Sequence, residues 1–209
     1  MQQQIPSPPA STGLWHWVRR ELPQLVLLLL LLAATRDSLA NHYVVPSGSM
    51  RHSLQVGDRV AVDMRAYGQR LPFTGVTLWA TGRPARGDVA VFDSPQDGVR
   101  LIKRVAAVAG DRVDLQDGRL SLNGRPLAVL GAADSEAFGQ HLAALDLSQG
   151  GGPDVHGLVV PQGQVLMLGD ARGNSIDGRF FGLVPADALY GRALAVYYRR
   201  GEGLEWRRL

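Results

Sequence analysis

Residues 112–124 read Arg112-Val113-Asp114-Leu115-Gln116-Asp117-Gly118-Arg119-Leu120-Ser121-Leu122-Asn123-Gly124, and apolar and polar side chains alternate along them. Such alternation predicts half-buried strands. Asn123-Gly124 lies between such runs and is the strongest short signal for a β-hairpin, and Asp117-Gly118 predicts an earlier turn. The stretch therefore predicts a β-meander, which continues to Val129.

Further strands are predicted on both sides of this meander. Short apolar runs recur between glycine-containing turns, a pattern that favours a mainly β, antiparallel domain over a helical one. The predicted strands are Arg59–Val62, Val89–Phe92, Arg100–Val108, Val165–Leu168 and Ala193–Tyr198, followed by a basic tail.

Two stretches interrupt this pattern. Gly131–Gly157 is expected to be a surface insertion without chemistry, with a short helix over Glu136–Leu145 and a flexible break at Gly150–Pro153. Together with the meander it forms an inserted subdomain over residues 112–162. Leu71–Ala80 carries Phe73, Leu78 and Trp79, and is either a strand that covers the core or an exposed apolar lip at a membrane interface.

The composition limits the class of protein. A chain of 209 residues is long enough for one catalytic domain with an anchor, and too short for two full-sized independent domains. The chain has no cysteine, which excludes disulfides and thiolate metal sites. Its net charge of +3 is small and its arginines are scattered, so we expect no nucleic-acid partner.

The N-terminal region is expected to anchor the chain in a membrane. Residues 1–21 start with a Gln-, Pro- and Ser-rich stretch and are expected to be a disordered cytoplasmic N-terminus. Residues 22–40 follow two tryptophans and an arginine pair, which are typical of a membrane interface and its cytoplasmic side. The apolar run is short, however, and Ser38-x-Ala40 resembles a cleavage site, so a cleavable signal peptide ending before Asn41 is the alternative.

Val44-Val45-Pro46-Ser47-Gly48-Ser49-Met50 has the features of a turn that presents a nucleophile. Two serines flank a glycine after an X-Pro step, which predicts an extended backbone entering a tight turn. A serine hydroxyl needs a base to become nucleophilic. The only lysine of the chain is Lys103, which lies in the apolar stretch Arg100–Val108.

The five blocks of the chain resemble, in sequence and in order, the type I signal peptidases, which are membrane-anchored serine proteases with a Ser/Lys dyad. The blocks are Pro46–Met50, Gly57-Asp58, Arg86–Phe92, Ile102–Val105 with Gly110-Asp111, and Gly169–Gly182. Any one block is a weak signal, but five in the family's order are specific.

The resemblance implies a role for each matching residue. Ser49 would be the nucleophile and Lys103 its general base, with the N–H of Ser49 and the hydroxyl of Ser47 as the oxyanion hole. Ser175 would orient the lysine, and a pair formed by Asp177 and Arg179 would brace it. Shallow substrate pockets that admit alanine-sized side chains would be lined by the following residues: Val45, Pro46, Met50, Leu54, Leu101 and Ile102.

The resemblance also implies the partners and location of the protein. The substrates would be preproteins with signal peptides, bound as an added strand, and neither metal nor cofactor would be needed. The peptidase domain, residues 41–209, would lie on the outer side of the inner membrane, next to the lipid bilayer.

Several residues have simpler explanations that the sequence leaves open. Ser47 could satisfy turn backbone, Lys103 could extend its amine to water, and Asp177 with Arg179 could be a surface ion pair. The aspartates next to glycine are expected to be turn residues rather than catalytic acids: Asp58, Asp88, Asp111 and Asp170. A Ser/His reading that uses His52 lacks a recognisable aspartate partner.

The chain departs from the family pattern at His52, Ser53, Ala171 and Gly178. These departures leave room for a pilin-processing peptidase of the same superfamily. A self-cleaving repressor is less consistent, because the N-terminus is apolar rather than a DNA-binding helix pair. A non-catalytic, membrane-tethered domain that binds extended peptides is the alternative from another class.

Overall fold

The computed structural model describes residues 18–30, 40–70, 77–132 and 134–209. Helical structure in these ranges comprises α1 (residues 18–30), α2 (Gly178–Phe181) and the 3-10 turns Gly48–Met50, Arg172–Asn174 and Ala186–Ala188. The strands of these ranges are β1 (Ala40–Val44), β2 (Arg59–Asp63), β3 (Gln69–Arg70), β4 (Thr77–Trp79), β5 (Val89–Asp93), β6 (Arg100–Val108), β7 (Arg112–Gln116), β8 (Arg119–Leu122), β9 (Arg125–Pro126), β10 (Ser135–Phe138), β11 (His141–Ala144), β12 (Val155–Val159), β13 (Gln164–Leu168), β14 (Val184–Pro185), β15 (Gly191–Arg199) and β16 (Gly203–Arg208). The mainly β prediction is confirmed.

The large sheet has the strand order β1-β2-β15-β5-β6-β13-β14, with β16 paired to β15, and its pairs are antiparallel. Strand β5 lies in its middle and is buried on both faces, as its unbroken apolar run predicts. Val89 and Val91 pack into one apolar cluster, while Ala90 and Phe92 pack into another on the opposite face. The sheet therefore has a core on each side of β5.

The predicted meander forms a second sheet, with the order β12-β7-β8-β9. Val113, Leu115, Leu120 and Leu122 point into one core cluster, as their alternation predicts. Asn123 and Gly124 both have positive φ angles, of 54° and 76°, which is the backbone of a type I′ hairpin turn. The meander prediction is confirmed.

The predicted helix over Glu136–Leu145 is wrong, because these residues form the β10–β11 hairpin. Glu136 and Phe138 are buried on one face, which is a period of two. The N–H of Ala137 donates to the carbonyl of Leu127 over 2.8 Å. Pairing with the end of the meander thus overrides the local preference of this Ala-rich stretch for a helix.

The five other predicted strands are confirmed as β2, β5, β6, β13 and β15. The basic tail forms a strand that the sequence did not indicate, since β16 pairs with β15. Within Leu71–Ala80, residues Thr77–Trp79 form β4, which pairs with β3. Leu78 and Trp79 are 48% and 59% exposed, so the interpretation of this stretch as a strand that covers the core is wrong for these two side chains. Phe73 lies outside the described residues.

The predicted anchor is described only in part. Residues 18–30 are helical and their leucines are exposed, whereas residues 31–39 lie outside the described ranges. Within the described ranges, no helix combines the length and the apolar character needed to cross a membrane.

Candidate active site

Ser49 lies in a 3-10 turn that packs on the hydrophobic core. The turn spans Gly48–Met50, and the side chains of Met50 and Leu54 are fully buried in the cluster beneath it. The N–H of Leu54 donates to the carbonyl of Met50 over 2.7 Å, which fixes the backbone of Leu54 relative to that of Met50. Ser49 is consequently only 8% exposed, and the Ser47 hydroxyl donates to its Oγ at 3.3 Å.

Lys103 lies on β6 opposite Ala90 of β5, near the middle of the large sheet. Its side chain is buried, with 2% of the residue exposed. Burial lowers the pKa of the Lys103 amine to about 8, against the charges of Asp177 and Asp170, which raise it, and with a smaller lowering by Arg179. Desolvation therefore outweighs two carboxylates. About a tenth of the amine is then neutral one pH unit below that pKa, far more than for a lysine with the ordinary pKa of about 10.4.

Gly169 is the point at which the nucleophile turn meets the last sequence block. A Cβ atom on Gly169 would lie 2.2 Å from Ser175 Oγ and 2.6 Å from the carbonyl oxygen of Ser49. The same Ser49 carbonyl accepts from the N–H of Ala171 over 3.0 Å. Ser49 and Ser175 are therefore packed against one glycine, although they lie far apart in the sequence.

Ser175 has a buried hydroxyl whose Oγ has no hydrogen-bond partner among the described residues. A buried hydroxyl without a partner is costly and needs an explanation. The segment that carries it follows β13, whose Leu168 pairs with Arg104, the residue next to Lys103. The unpaired hydroxyl thus lies against Gly169, the residue that follows the end of β13.

Asp177 and Arg179 form a fully buried ion pair at 2.8 Å. The surface-pair interpretation is therefore wrong for this structure. Asp177 is the N-cap of α2, and its carboxylate accepts from the N–H of Arg179 in the first turn of that helix. Asp177 also accepts from the N–H of Gly169 over 2.9 Å, so the pair holds the backbone against which both serines pack.

The aspartates next to glycine act in two ways. Asp58, Asp88 and Asp111 each accept from the backbone N–H three residues earlier, which is the turn role that the sequence predicts. Asp170 is different, because it forms a bidentate pair with Arg104 at 2.9 and 2.7 Å in the protein interior. That pair therefore joins the last sequence block to β6, the strand that carries Lys103.

The six residues assigned to substrate pockets differ in exposure. Val45, Met50 and Leu54 are buried in the core, Pro46 is exposed, and Leu101 and Ile102 are half-buried. Only the last three can offer side-chain surface to a substrate without movement. The other three pack together in the core cluster that supports the nucleophile turn.

His52 has a left-handed backbone, with a φ angle of 74°, and follows the nucleophile turn. It lines an open cavity of about 470 Å³ together with Gly48 and Arg51. The nearby Asp146 carboxylate hydrogen-bonds Ser148, and those bonds are the main cause that lowers its pKa, with smaller effects from His52 and Arg51. This geometry does not assemble a Ser/His/Asp triad.

Sequence reasoning missed two residues of this region, Glu136 and Arg172. Both are 1% exposed and paired at 2.6 Å. Arg172 lies inside the last matching block, which could have drawn attention to it. Glu136 has no such signal, because it lies outside the five matching blocks, in the insertion over Gly131–Gly157.

Comparison with known proteins gives consistent matches. The family described as "Signal peptidase, peptidase S26" matches residues 14–198. Signal peptidase I of Pseudomonas fluorescens is 34% identical over 195 residues, covering 81% of this chain and 69% of that protein. Signal peptidase I of Pseudomonas aeruginosa is 33% identical over 195 residues, with the same shares of 81% and 69%. The crystal structure of a signal peptidase I from Enterococcus faecalis V583 aligns with a TM-score of 0.40 and 28% identity, covering 53% of this chain and 96% of that one.

The match to the family over most of the chain defines the class of protein, which is a serine protease and therefore a hydrolase. The chain belongs to the signal peptidase family, peptidase S26.

Proposed function

We propose that this chain is a membrane-bound endopeptidase that removes signal peptides from exported preproteins, with Ser49 and Lys103 as its dyad. The observation that carries the proposal is the buried Lys103 amine, whose pKa is lowered to about 8. The packing of Ser49 and Ser175 around Gly169 also supports the proposal. Gly169 follows β13, which pairs with β6, the strand that carries Lys103.

In the first half of the reaction, neutral Lys103 accepts the proton of the Ser49 hydroxyl as Oγ attacks the scissile carbonyl. The oxyanion of the tetrahedral intermediate is stabilised by the N–H of Ser49 and the hydroxyl of Ser47, which lies beside Oγ. The C–N bond then breaks, and Lys103 returns its proton to the leaving amine. The product is the acyl-enzyme ester on Ser49.

In the second half, Lys103 accepts a proton from a water molecule that attacks the ester carbonyl. The C–O bond to Ser49 breaks, the released signal peptide carries the new carboxylate, and the proton returns to Ser49 Oγ. Ser175 would hold the lysine amine between these transfers, a role that accounts for its buried hydroxyl without another partner. Asp177 and Arg179 would keep this segment in place through Gly169.

The substrate would be held extended beside the exposed and half-buried residues Pro46, Leu101 and Ile102. We propose residues 22–40 as the membrane anchor, residues 41–209 as the peptidase domain on the outer side of the inner membrane, and residues 1–21 as the cytoplasmic end. The helix over residues 18–30 with its exposed leucines supports this arrangement. Residues 112–162 would be an inserted subdomain of the peptidase.

The test is cleavage of a preprotein with an Ala-x-Ala site by the purified full-length protein in detergent. Ser49→Ala and Lys103→Ala should each lose activity by on the order of 10⁶-fold, because the members of a catalytic unit fail together. Ser121→Ala, on the outer side of β8, is the control for a serine outside the site. Circular dichroism checks that each variant is folded.

Two outcomes would overturn the proposal. One is a Lys103→Ala protein that cleaves at the wild-type rate. The other is a folded wild-type protein that binds the signal peptide without cleaving it and binds equally well after Ser49→Ala, as a peptide-binding domain would.

A further inference from the structure

Glu136 is a buried carboxylate far in sequence from every residue assigned to the reaction. It lies on β10 of the insertion, 1% exposed, and one of its oxygens accepts from the N–H of Leu120 over 2.7 Å. Its other oxygen accepts from Arg172 Nη2 over 2.6 Å. A buried carboxylate is stable only when such donors compensate for its lost hydration.

Arg172 connects this carboxylate to the candidate active site. Its guanidinium donates through Nε to the carbonyl of Gly169 over 3.0 Å and through Nη1 to the carbonyl of Gly118. Its own carbonyl accepts from Arg179 Nη2 over 2.6 Å. One side chain therefore joins the insertion to the backbone on which Ser49 and Ser175 pack.

Gly169 is held from both sides by buried charge pairs. Its N–H donates to Asp177, the partner of Arg179, and its carbonyl accepts from Arg172, the partner of Glu136. The first pair belongs to the sequence block that the family shares. The second depends on a carboxylate that only the insertion supplies.

Other contacts show that the insertion holds this segment as a unit. The N–H of Arg172 donates to the carbonyl of Asp146 over 3.1 Å, and Arg179 donates to the carbonyl of Gly151 over 2.6 Å. Both acceptors lie within residues 112–162. In these contacts the insertion offers carbonyl oxygens, and Glu136 is the insertion residue that pairs with Arg172 through its charge.

We infer that Glu136 is a positioning residue for the peptidase reaction, which it serves by fixing the Arg172 guanidinium against Gly169. This inference rests on the proposed function. Without the carboxylate, Arg172 is a buried cation without a counter-charge and moves toward other acceptors or water. The Gly169 carbonyl then loses its donor, and the spacing between Ser49 and Ser175 changes.

The test uses Glu136→Gln in the full-length protein, because glutamine keeps the size and the acceptor oxygen but removes the charge. We expect kcat to fall on the order of 10²-fold, as for a displacement of about 1 Å at a reacting centre, with KM within about twofold of wild type. The matched control is Asp134→Asn, which neutralises an exposed carboxylate next to the same hairpin, paired with Arg119 at the surface. Asp134→Asn should keep the wild-type kcat.

A double-mutant cycle with Arg172→Gln separates positioning from general stability. If Glu136 acts through Arg172, Glu136→Gln lowers kcat little or not at all in the Arg172→Gln background. Equal losses in both backgrounds would contradict the inference. So would a Glu136→Gln protein with wild-type kcat and a lowered melting temperature, or one unfolded at the assay temperature, since the residue would then act on stability alone.

These outcomes are distinct from failure of the proposed function. If the dyad assignment fails, Ser49→Ala retains activity whatever Glu136 does. If only the positioning role fails, Ser49→Ala is inactive while Glu136→Gln cleaves normally.

Discussion

Gly169 is a position at which any side chain would displace the candidate nucleophile. The nearest atoms to an added Cβ would be the Ser175 side chain, at 2.2 and 2.6 Å, and the Ser49 carbonyl oxygen, at 2.6 Å. The backbone carbonyl of Ser49 cannot move without moving the turn that carries its hydroxyl. The glycine is therefore required by close approach of two segments, and not by an unusual φ angle.

Gly169→Ala should lower kcat/KM for preprotein cleavage on the order of 10²-fold, because both serines must shift. Gly48→Ala is the comparison variant in the same region, since the nearest atoms to its added Cβ lie 3.7 Å away or more, which is ordinary contact. Gly48→Ala should show a much smaller loss. A Gly169→Ala protein as active as wild type would show that the packing around Gly169 does not position the site.

Sequence analysis could identify residues whose chemistry is tied to a motif. Ser49, Lys103 and Ser175 were named from their blocks, and the structure gathers Ser49 and Ser175 at Gly169. The Glu136–Arg172 pair could not be found, because its partners are 36 residues apart and only the folded insertion brings them together. Long-range ion pairs leave no periodic signal in a sequence.

At the scale of elements, a buried ion pair joins the end of β15 to the turn that precedes β2. Arg199 donates to both oxygens of Asp58, at 2.9 and 2.7 Å, and both side chains are almost completely buried. The carbonyl of Asp58 also accepts from the N–H of Val45, just before the nucleophile turn. The contacts of Asp58 therefore join the ends of β1, β2 and β15 just before the turn that carries Ser49.

Asp58→Ala should lower the free energy of unfolding by about 3–5 kcal/mol, because it leaves the Arg199 charge buried without a partner. The control is Asp63→Ala, whose partner Arg65 is largely exposed, and the expected loss is at most about 1 kcal/mol. Urea denaturation followed by tryptophan fluorescence measures both. Equal losses for the two variants would mean that the buried pair contributes no more than a surface pair.

The strands that were predicted from alternation or from an unbroken apolar run all formed. The hairpin β10–β11 and strand β16 were not predicted, since each depends on a partner strand supplied by another part of the fold. β10 continues the pairing of the meander through Leu127, and β16 pairs along β15. Neither segment has a strong local preference for a strand, and tertiary pairing decides their structure.

At the scale of the whole molecule, β1 follows directly from the predicted anchor, so the peptidase domain would stay near the bilayer. Exposed apolar side chains occur on several surface strands, among them Trp79 on β4 and both Leu204 and Trp206 on β16. Single exposed apolar side chains are normal on protein surfaces, so these side chains do not by themselves indicate a membrane contact. Membrane attachment is tested more directly at the predicted anchor, because cleavage of the anchor would shorten the protein.

We predict that the full-length protein stays with the membrane fraction after washing at high pH, and that its N-terminal sequence still precedes residue 22. The physical reason is the apolar segment over residues 22–40, which would remain in the bilayer. Mature protein that begins at Asn41 and is released by washing would instead identify a cleaved signal peptide.

The dependence of kcat/KM on pH tests the central claim most directly, because the proposed base works only when the Lys103 amine is neutral. Below the pKa of the amine, the neutral fraction falls about tenfold per pH unit, so the rate should fall in the same proportion. With that pKa lowered by burial to about 8, we predict a rise in kcat/KM from pH 6 that levels off above a midpoint near 8. A profile that is flat across this range, or one whose rise is centred near the ordinary lysine pKa of about 10.4, would contradict the account.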